Sequence, residues 1–203
     1  MPRPRLDHVR KAQILSAAAE VMSERGYANV RLADIATAAG TSPAAILYWF
    51  SGKDELLAEA LRLREQQFHD TYTVKAEHQT TASAKLRVLV QAMLHHYDWP
   101  LWMELCVLAL RDRSAAAERD RLDRRWRAAL RAVIREGQES GEFVHGDAEE
   151  VMFVLAALLD GLAPLLAVKA KGVTRERAER VWLAEAARLL GPGFDARPLK
   201  RPR

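Results

Sequence analysis

At 203 residues the chain is long enough to bury a core of its own, as one ordinary domain or two small ones. The single Cys106 excludes an intramolecular disulfide, and the absence of CxxC and HExxH spacings argues against a metal site, so we expect a reducing, cytoplasmic location. The formal net charge of +4 lies at the ends: residues 1–11 and 195–203 each hold four basic residues against one Asp, whereas residues 1–60 hold seven of each sign. Each basic end is either a solvated tail or a phosphate-binding arm.

Neither a secretory signal nor a membrane span is expected. The first eleven residues, MPRPRLDHVRK, lack the apolar core of a signal peptide. Residues 151–168 (VMFVLAALLDGLAPLLAV) are almost long enough to cross a bilayer. Because Asp160 lies at their centre and Pro164 follows, we predict a buried helix instead, and no membrane partner.

The spacing of apolar residues predicts helices throughout. Apolar side chains recur at steps of three and four, and no alternating run is long enough for a sheet, which predicts an all-α fold of about nine helices. Gly26 is the expected left-handed stop of the first helix, Pro164 predicts a kink or an early end, and residues 140–147 (SGEFVHGD) predict a loop. The predicted helices cover about residues 7–24, 32–40, 42–49, 53–80, 83–98, 100–111, 114–140, 147–170 and 174–190.

The short stretch AGTSPAAILYWF, residues 39–50, has the local chemistry of a helix that is firmly started. Ser42 is a good N-cap, and Pro43 falls at the first helical position, where a missing N–H costs nothing. Gly40 supplies the turn after the preceding short helix. Two short helices joined by such a turn and braced by a longer one form the helix-turn-helix pattern, whose second helix enters the DNA major groove.

The same region carries a longer signature. Its positions, at fixed spacing and without a gap, are Gly26, Tyr27, Asp34, Ile35, Ala36, Ala39, Gly40, Ser42, Pro43, Tyr48, Phe50, Lys53, Glu55 and Leu56. In this respect residues 10–57 resemble the N-terminal region of the tetracycline-repressor (TetR) family of bacterial regulators. The resemblance implies a ligand-responsive repressor that binds a palindromic operator in double-stranded DNA as a homodimer. It further implies a helix-turn-helix domain in residues 1–52, a helical regulatory and dimerisation domain in residues 53–191, and a disordered basic tail in residues 192–203.

The resemblance also implies which residues contact DNA. Phe50 is expected in the core, whereas the Tyr48 hydroxyl and the Lys53 ammonium are expected to donate to phosphates. The residues expected nearest the base edges are Thr41, Ser42, Pro43, Ala44 and Ala45.

Three positions depart from the family pattern. Leu47 stands where an aromatic is usual, so one DNA contact is absent or replaced by packing. Trp49 stands where a His is common, and its indole N–H either donates to a phosphate or packs inward. Arg31 stands where a Thr often caps the second helix, which removes that cap and adds a cation near the DNA backbone.

The stretches HHYDWPLWMELCVLALRD and RRWRAALRAVIREGQESGEF resemble the C-terminal domain of the betaine-regulator (BetI-like) subgroup. The resemblance implies a small-molecule effector and no cofactor. Aromatic faces beside Asp98 and Glu104 would suit an organic cation, although for any single aromatic a place in the core of a helical bundle is the favoured interpretation. The candidate effector residues, besides Tyr97, are His96, Trp99, Trp102, Met103, Cys106 and Trp126.

Dimerisation is implied through the last two long helices. The candidate interface residues are Leu155, Leu158, Leu159, Leu162, Val181 and Trp182. An apolar stripe by itself does not distinguish a core from an interface.

Two other classes of function remain as alternatives, a helical enzyme and a protein-binding adaptor. The sequence contains no nucleophile elbow, P-loop, GxGxxG or metal cluster, and its polar candidates scatter over different helices. We therefore expect a protein that is not an enzyme.

Overall fold

The structure, a computed structural model, describes residues 4–197, with side chains from Val9 onward. Within that range it contains nine α-helices, one 3-10 turn at Tyr27–Asn29 and no strand, which confirms the all-α prediction. The helices are α1 (Pro4–Arg25), α2 (Leu32–Ala38), α3 (Pro43–Trp49), α4 (Lys53–Glu77), α5 (Ala82–His96), α6 (Trp99–Ala109), α7 (Arg113–Glu139), α8 (Ala148–Ala167) and α9 (Arg175–Leu190).

Short polar side chains start most of the later helices. Ser42, Thr81, Asp98, Asp147 and Thr174 each accept a hydrogen bond from a backbone N–H in the first turn of the helix that follows. These bonds satisfy donors that a helix leaves unpaired at its start. At the other end of α1, Gly26 has the positive φ of 77° and donates from its N–H to the Met22 carbonyl at 2.9 Å, so the predicted stop is confirmed.

The proline inside α8 does not end the helix. α8 passes through Pro164 and ends one turn later at Ala167, where the Val168 N–H donates to the Pro164 carbonyl at 3.0 Å. Proline removes only its own N–H from the helix, so the turn that follows can still form.

The helices divide into two compact units. Unit 1 comprises residues 4–67 and 98–122, and unit 2 comprises residues 68–97 and 123–197. The core of unit 1 is made by α1, α2, α3, α6 and the first part of α4. Its fully buried side chains include Met22, Ile35, Ile46, Phe50, Leu56, Leu57, Leu61, Leu101 and Leu105. Burying each of these large side chains stabilises the fold by about 1.5–3 kcal/mol, and the predicted core role of Phe50 is confirmed.

A buried carboxylate ties α4 to α7 inside unit 1. Glu118 is only 8% exposed, and it accepts hydrogen bonds from Arg62 Nε and Nη2, each at 2.9 Å, and from Arg121 Nε and Nη2 at 3.0 and 2.6 Å. Burial by itself raises the pKa of this carboxyl, but the hydrogen bonds and charges of the two guanidinium groups prevail and lower its pKa to about 2. Glu118 is therefore ionised at all physiological pH values.

The core of unit 2 is formed by α5, α8, α9 and the later part of α7. Trp182 lies in its interior and donates from Nε1 to the Leu155 carbonyl at 2.9 Å, which satisfies its one polar atom. The predicted loop at residues 140–147 is present, and its Phe143 packs so closely that a Cβ at Gly137 would lie 2.1 Å from the ring. Only glycine fits at that turn of α7.

The start of the predicted tail is packed against unit 2. Phe194 is buried with its ring 6.0 Å from that of Phe143, and the Asp195 N–H donates to Ser83 Oγ at 3.1 Å. Arg87 Nη1 lies 2.8 Å from Asp195 Oδ2. The rest of the tail, residues 198–203, and the Arg3 of the N-terminal arm lie outside the described residues.

Candidate nucleic-acid interface

The first turn of α3 is exposed and carries small side chains. Ser42 Oγ accepts a hydrogen bond from the Ala45 N–H at 3.2 Å, which caps the start of the helix. The exposed side chains of this turn and its approach are Thr41, Ser42, Pro43 and Ala44, and Ala45 is half-buried. Ile46 beneath them is fully buried. The helix thus presents a slim surface on a rigid base, which is what close approach to base edges requires.

The three consecutive aromatics at the end of α3 differ in exposure. Tyr48 is 80% exposed, Trp49 is half-buried against the core of unit 1, and Phe50 is buried. The rings of Tyr48 and Trp49 meet edge to face, with centroids 5.1 Å apart. Trp49 therefore packs inward and steadies the ring of Tyr48. Leu47, where the family often has an aromatic, is exposed.

At the start of α2, the side chain of Asp34 accepts a hydrogen bond from the backbone of the N-cap residue. Arg31 stands at the N-cap without a side-chain cap, as expected, but Asp34 Oδ2 accepts from the Arg31 N–H at 2.8 Å. The same carboxyl group lies 3.8 Å from Arg25 Nη1. The Arg31 residue is exposed, so its cation remains accessible.

The ammonium group of Lys53 binds backbone carbonyls of the protein itself. Its Nζ donates to the Tyr27 carbonyl at 2.7 Å and to the Val30 carbonyl at 2.9 Å, and it lies 4.1 Å from the centroid of the Tyr27 ring. These two carbonyls belong to the turn that joins α1 to α2. A direct phosphate contact, which the resemblance implies for this lysine, competes with two internal hydrogen bonds and a cation–π contact. The geometry makes Lys53 a support for the turn that precedes the helix-turn-helix.

Two carboxylates, that of Glu104 on α6 and that of its N-cap residue Asp98, bind residues at the end of α1 and in the turn after it. Glu104 Oε1 accepts from the Tyr27 N–H at 2.9 Å. Asp98 Oδ1 accepts from Ser23 Oγ at 2.8 Å and from the Leu101 N–H at 3.2 Å. Both carboxylates, which the sequence analysis considers as partners of an organic cation, thus hold unit 1 together. Nothing in the local sequence indicates these pairs, because their members lie about 75 residues apart.

The predicted effector residues are divided between the two units. Trp99, Trp102, Met103 and Cys106 lie on α6 in unit 1, whereas His96 and Trp126 lie in unit 2. Trp99 is buried, so it belongs to the core, and the other three residues on α6 are half-buried.

Unit 2 contains an aromatic cluster that the sequence analysis largely missed. The Phe68 ring lies 4.9 Å from that of Tyr72 and meets that of Tyr97 edge to face at 5.3 Å, while His96 stacks on Tyr72 at 5.2 Å. Tyr72 and His96 also line a cavity of about 480 Å³. Burial raises the pKa of the Tyr72 hydroxyl. The sequence does indicate part of this cluster, because Phe68 and Tyr72 are four residues apart on α4 and therefore lie on the same side of the helix.

Three of the six predicted dimer contacts are buried within the chain itself. Leu155, Leu159 and Trp182 lie fully inside unit 2, because the stripe they form on α8 and α9 is the one that packs against the rest of the unit. Leu158 and Leu162 are half-buried, and Val181 is exposed.

A different face of α8 is exposed. Phe153 is 56% exposed and Leu165 is 43% exposed, and Ala157 and Gly161 lie between them at steps of four, also exposed. Residues at this spacing follow one side of a helix. Arg127 on α7 places its guanidinium 6.0 Å from the centroid of the Phe153 ring. The chain therefore presents a row of exposed apolar residues along α8, which we call the α8 face and define by Phe153, Ala157, Gly161 and Leu165. The Arg127–Asp160 ion pair lies beside this row.

The length and apolarity of α8 would allow it to cross a membrane, and it is the only helix of residues 4–197 for which this holds. Its inward side, however, packs into unit 2 through side chains that include Met152, Leu155, Ala156, Leu159 and Ala163. Among the described residues, no three His, Cys, Asp or Glu side chains are arranged to hold a metal ion.

The all-α fold and the exposed, N-capped α3 define a regulator of the helix-turn-helix class. Residues 14–60 match the bacterial regulatory proteins of the tetR family, and residues 82–191 match the C-terminal domain of BetI-type transcriptional repressors. The chain belongs to the tetR family of bacterial transcriptional regulators, with a C-terminal domain of the BetI type.

Individual relatives agree with this assignment. The regulator BetI of Brucella canis is 37% identical over 67 residues, which are 32% of this chain and 34% of BetI; the match thus spans about a third of that relative. The regulator TtgR of Pseudomonas putida is 28% identical over 169 residues, 75% of this chain and 77% of TtgR. A transcriptional regulator of Saccharomonospora viridis, solved in complex with choline, superposes with a TM-score of 0.80 at 29% identity, covering 87% of this chain and 94% of that one.

Proposed function

We propose that the protein is a dimeric, ligand-responsive repressor that reads double-stranded DNA with α3. The observation that carries the proposal is the surface of α3, where small exposed side chains stand on the buried Ile46 and Phe50. A helix of this shape can enter the major groove without side chains that hold it away from the bases. We infer no catalytic role and a cytoplasmic location.

In this proposal the contacts divide between bases and phosphates. Thr41 and Ala44 offer a hydroxyl and methyl groups to base edges, and methyl groups suit thymine. The Tyr48 hydroxyl and the Arg31 guanidinium donate to phosphates, which fix the position of the helix on the duplex. Lys53 contributes by holding the turn at Tyr27 in place.

The second copy is proposed to dock on the α8 face. A contiguous apolar surface of this kind is stabilised when another surface removes it from water. A two-fold dimer presents two α3 helices, and two successive major grooves on one side of a duplex are roughly 34 Å apart. The operator is therefore expected to be an inverted repeat.

The effector is proposed to be a small organic cation. The support is the cluster of Phe68, Tyr72 and Tyr97 in unit 2, because ring faces attract quaternary ammonium groups. The similar regulator of Saccharomonospora viridis was solved with choline, which belongs to this class of ligand. Such a ligand acts by binding one dimer conformation better than another and shifting the population away from the DNA-binding state.

The test is a footprint on the DNA upstream of the protein's own gene, at several salt concentrations, with and without choline. We expect a protected inverted repeat, with affinity that falls steeply as salt increases and is weakened by choline. Equal affinity for random duplex at every salt concentration contradicts the proposal. A footprint that choline does not change would contradict the effector alone.

The adaptor alternative makes a separate prediction. If the protein acts only by binding other proteins, Tyr48→Ala leaves every interaction unchanged, whereas the proposal requires weaker DNA binding.

A further inference from the structure

Unit 2 contains a second, larger cavity that no part of the proposed function uses. It has a volume of about 700 Å³ and opens among the end of α5, the end of α8 and the start of α9. Cavities of a few hundred to 1,000 Å³ are the usual size for drug-sized ligands.

The permanent charges of this cavity are mainly positive. Lys169 and Arg175 line it, against the single carboxylate of Glu176. A lining of this composition attracts anions and disfavours cations.

Several arginines of unit 2 are held in ion pairs, whereas the lysine and the arginine of this cavity are not. Arg127, Arg131 and Arg188 each form an ion pair with a carboxylate of the same unit. Within residues 4–197, neither Lys169 nor Arg175 forms an ion pair. Their charges are therefore left for a partner that enters the cavity.

The guanidinium of Arg175 is held in place by the protein. Its Nε donates to the Leu94 carbonyl at the end of α5, at 3.3 Å. The anchoring bond uses one edge of the group and leaves both terminal nitrogens to donate elsewhere. A fixed guanidinium of this kind binds a carboxylate or phosphate with two parallel hydrogen bonds.

Lys169 occupies a backbone position that favours glycine. Its φ of 54° makes it the one non-glycine residue with positive φ among residues 4–197. This left-handed conformation follows the end of α8, where glycine is the usual residue. A lysine here places a cation at the cavity in spite of the backbone strain.

The cavity also has an apolar part. Leu166 and Val173 line it together with the basic residues. A ligand that satisfies both parts has an anionic head and a short apolar chain.

We propose that this cavity binds an amphiphilic organic anion, with its carboxylate or phosphate against Lys169 and Arg175 and its hydrocarbon part on Leu166 and Val173. His96 lines both this cavity and the smaller one beside the aromatic cluster, whereas Lys169 and Arg175 line this one. The test of the anion site needs neither DNA nor the proposed cationic effector.

The test is isothermal titration of the full chain with octanoate and with octyl phosphate, and with octyltrimethylammonium as the probe of opposite charge. We expect one of the two anions to bind and the cation not to compete. The tighter of the two anions identifies the head group. Absence of heat with both anions at millimolar concentration overturns the proposal.

Two variants and a matched control place the site. Arg175→Gln removes the guanidinium, and Lys169→Gly removes the ammonium while suiting the left-handed backbone, so that loss of charge is separated from loss of fold. Each variant is expected to bind the anion roughly tenfold more weakly than the wild type, or weaker still. Lys171→Gln changes an exposed lysine of the same turn and is expected to leave the affinity within about twofold. Equal affinity in the wild type and in Lys169→Gly, with the fold intact by circular dichroism, would place the anion elsewhere and refute the assignment.

Discussion

The helices α3 and α8 each expose two large apolar side chains, and they do so in different ways. On α3, the exposed Leu47 and Tyr48 follow a turn of small and polar residues. On α8, Phe153 and Leu165 are the ends of a row of exposed apolar residues at steps of four. The first pattern leaves isolated apolar groups among polar ones, and the second makes a surface that water solvates poorly along its whole length.

The difference shows how one chain can carry two kinds of binding surface. A helix that reads DNA needs a slim, polar approach and a few fixed donors, since its partner is charged and hydrated. A helix that binds its own copy needs contiguous apolar area, since burial of that area is the driving force. Each surface is therefore expected to respond to a different kind of substitution.

The largest effect is expected from charges on the α8 face. The double variant Phe153→Glu and Leu165→Glu places carboxylates on the apolar surface, and the Glu at position 153 keeps a partner for Arg127. We expect a monomer by sedimentation velocity and a loss of operator affinity of roughly 100-fold, because both half-sites must then bind separately. Val107→Glu, a charge on an exposed valine of α6, is the control and is expected to leave the dimer intact. A dimeric double variant would refute the α8 face as the interface.

The second effect concerns the ion pairs of Glu118, which join α4 to α7 in unit 1, the unit that contains α3. Because the pKa of Glu118 is lowered from 4.5 to about 2 in the folded protein, its ion pairs contribute fully to stability above pH 4.5. That contribution is lost as the pH falls from 4.5 towards 2. Glu118→Gln is expected to lower the free energy of unfolding by about 2 kcal/mol at pH 7. Urea unfolding across this pH range measures both effects, and a wild-type pH dependence that persists in the variant would contradict this role for Glu118.

The third effect tests the exposed aromatic of α3. Tyr48→Ala is expected to weaken operator binding roughly tenfold, since one phosphate contact and the ring that packs on Trp49 are lost. The melting temperature should not change, because the side chain is exposed. Tyr48→Phe separates the hydroxyl from the ring, and Leu110→Ala, at another exposed apolar residue of unit 1, is the control. If Tyr48→Ala binds the operator with wild-type affinity, Tyr48 makes no phosphate contact that contributes to binding.

The smallest effect distinguishes two cations of the same unit. Lys53→Gln is expected to reduce DNA affinity about fivefold by loosening the turn at Tyr27, while the slope of log K against log salt stays unchanged. Arg31→Gln is expected to lower that slope by about 0.9, since an exposed cation releases one counterion on binding. Fluorescence anisotropy over a range of salt concentrations measures both slopes. A lower slope in Lys53→Gln would mean that this lysine leaves its carbonyl partners and contacts phosphate directly.

Much of the architecture follows from local chemistry, and the structure agrees where local chemistry decides. The stop at Gly26, the start of α3 at Ser42 and Pro43 and the loop at residues 140–147 depend on backbone preferences of a few consecutive residues. Such preferences act before any tertiary contact forms. The core position of Phe50 is implied by the family resemblance, and the Phe50 side chain is buried.

Residues that act through distant partners could not be assigned in this way. Lys53 belongs to the signature, yet its ammonium is used by carbonyls more than 20 residues earlier in the chain. Leu155 on α8 and Trp182 on α9 lie in apolar stripes that would suit an interface. Inside unit 2, however, the Trp182 indole N–H donates a hydrogen bond to the Leu155 carbonyl. Periodicity identifies a buried side but not what covers it.

The sequence by itself determined the class of fold, the order of the helices and the helix that is proposed to read DNA, because periodicity, capping residues and turn residues are local properties. Only the tertiary structure decided which side of α8 faces outward, which cations are already paired and which basic residues meet around an open cavity. These depend on the packing of helices that are far apart in the chain, and burial and charge pairing are properties of that packing rather than of any single segment.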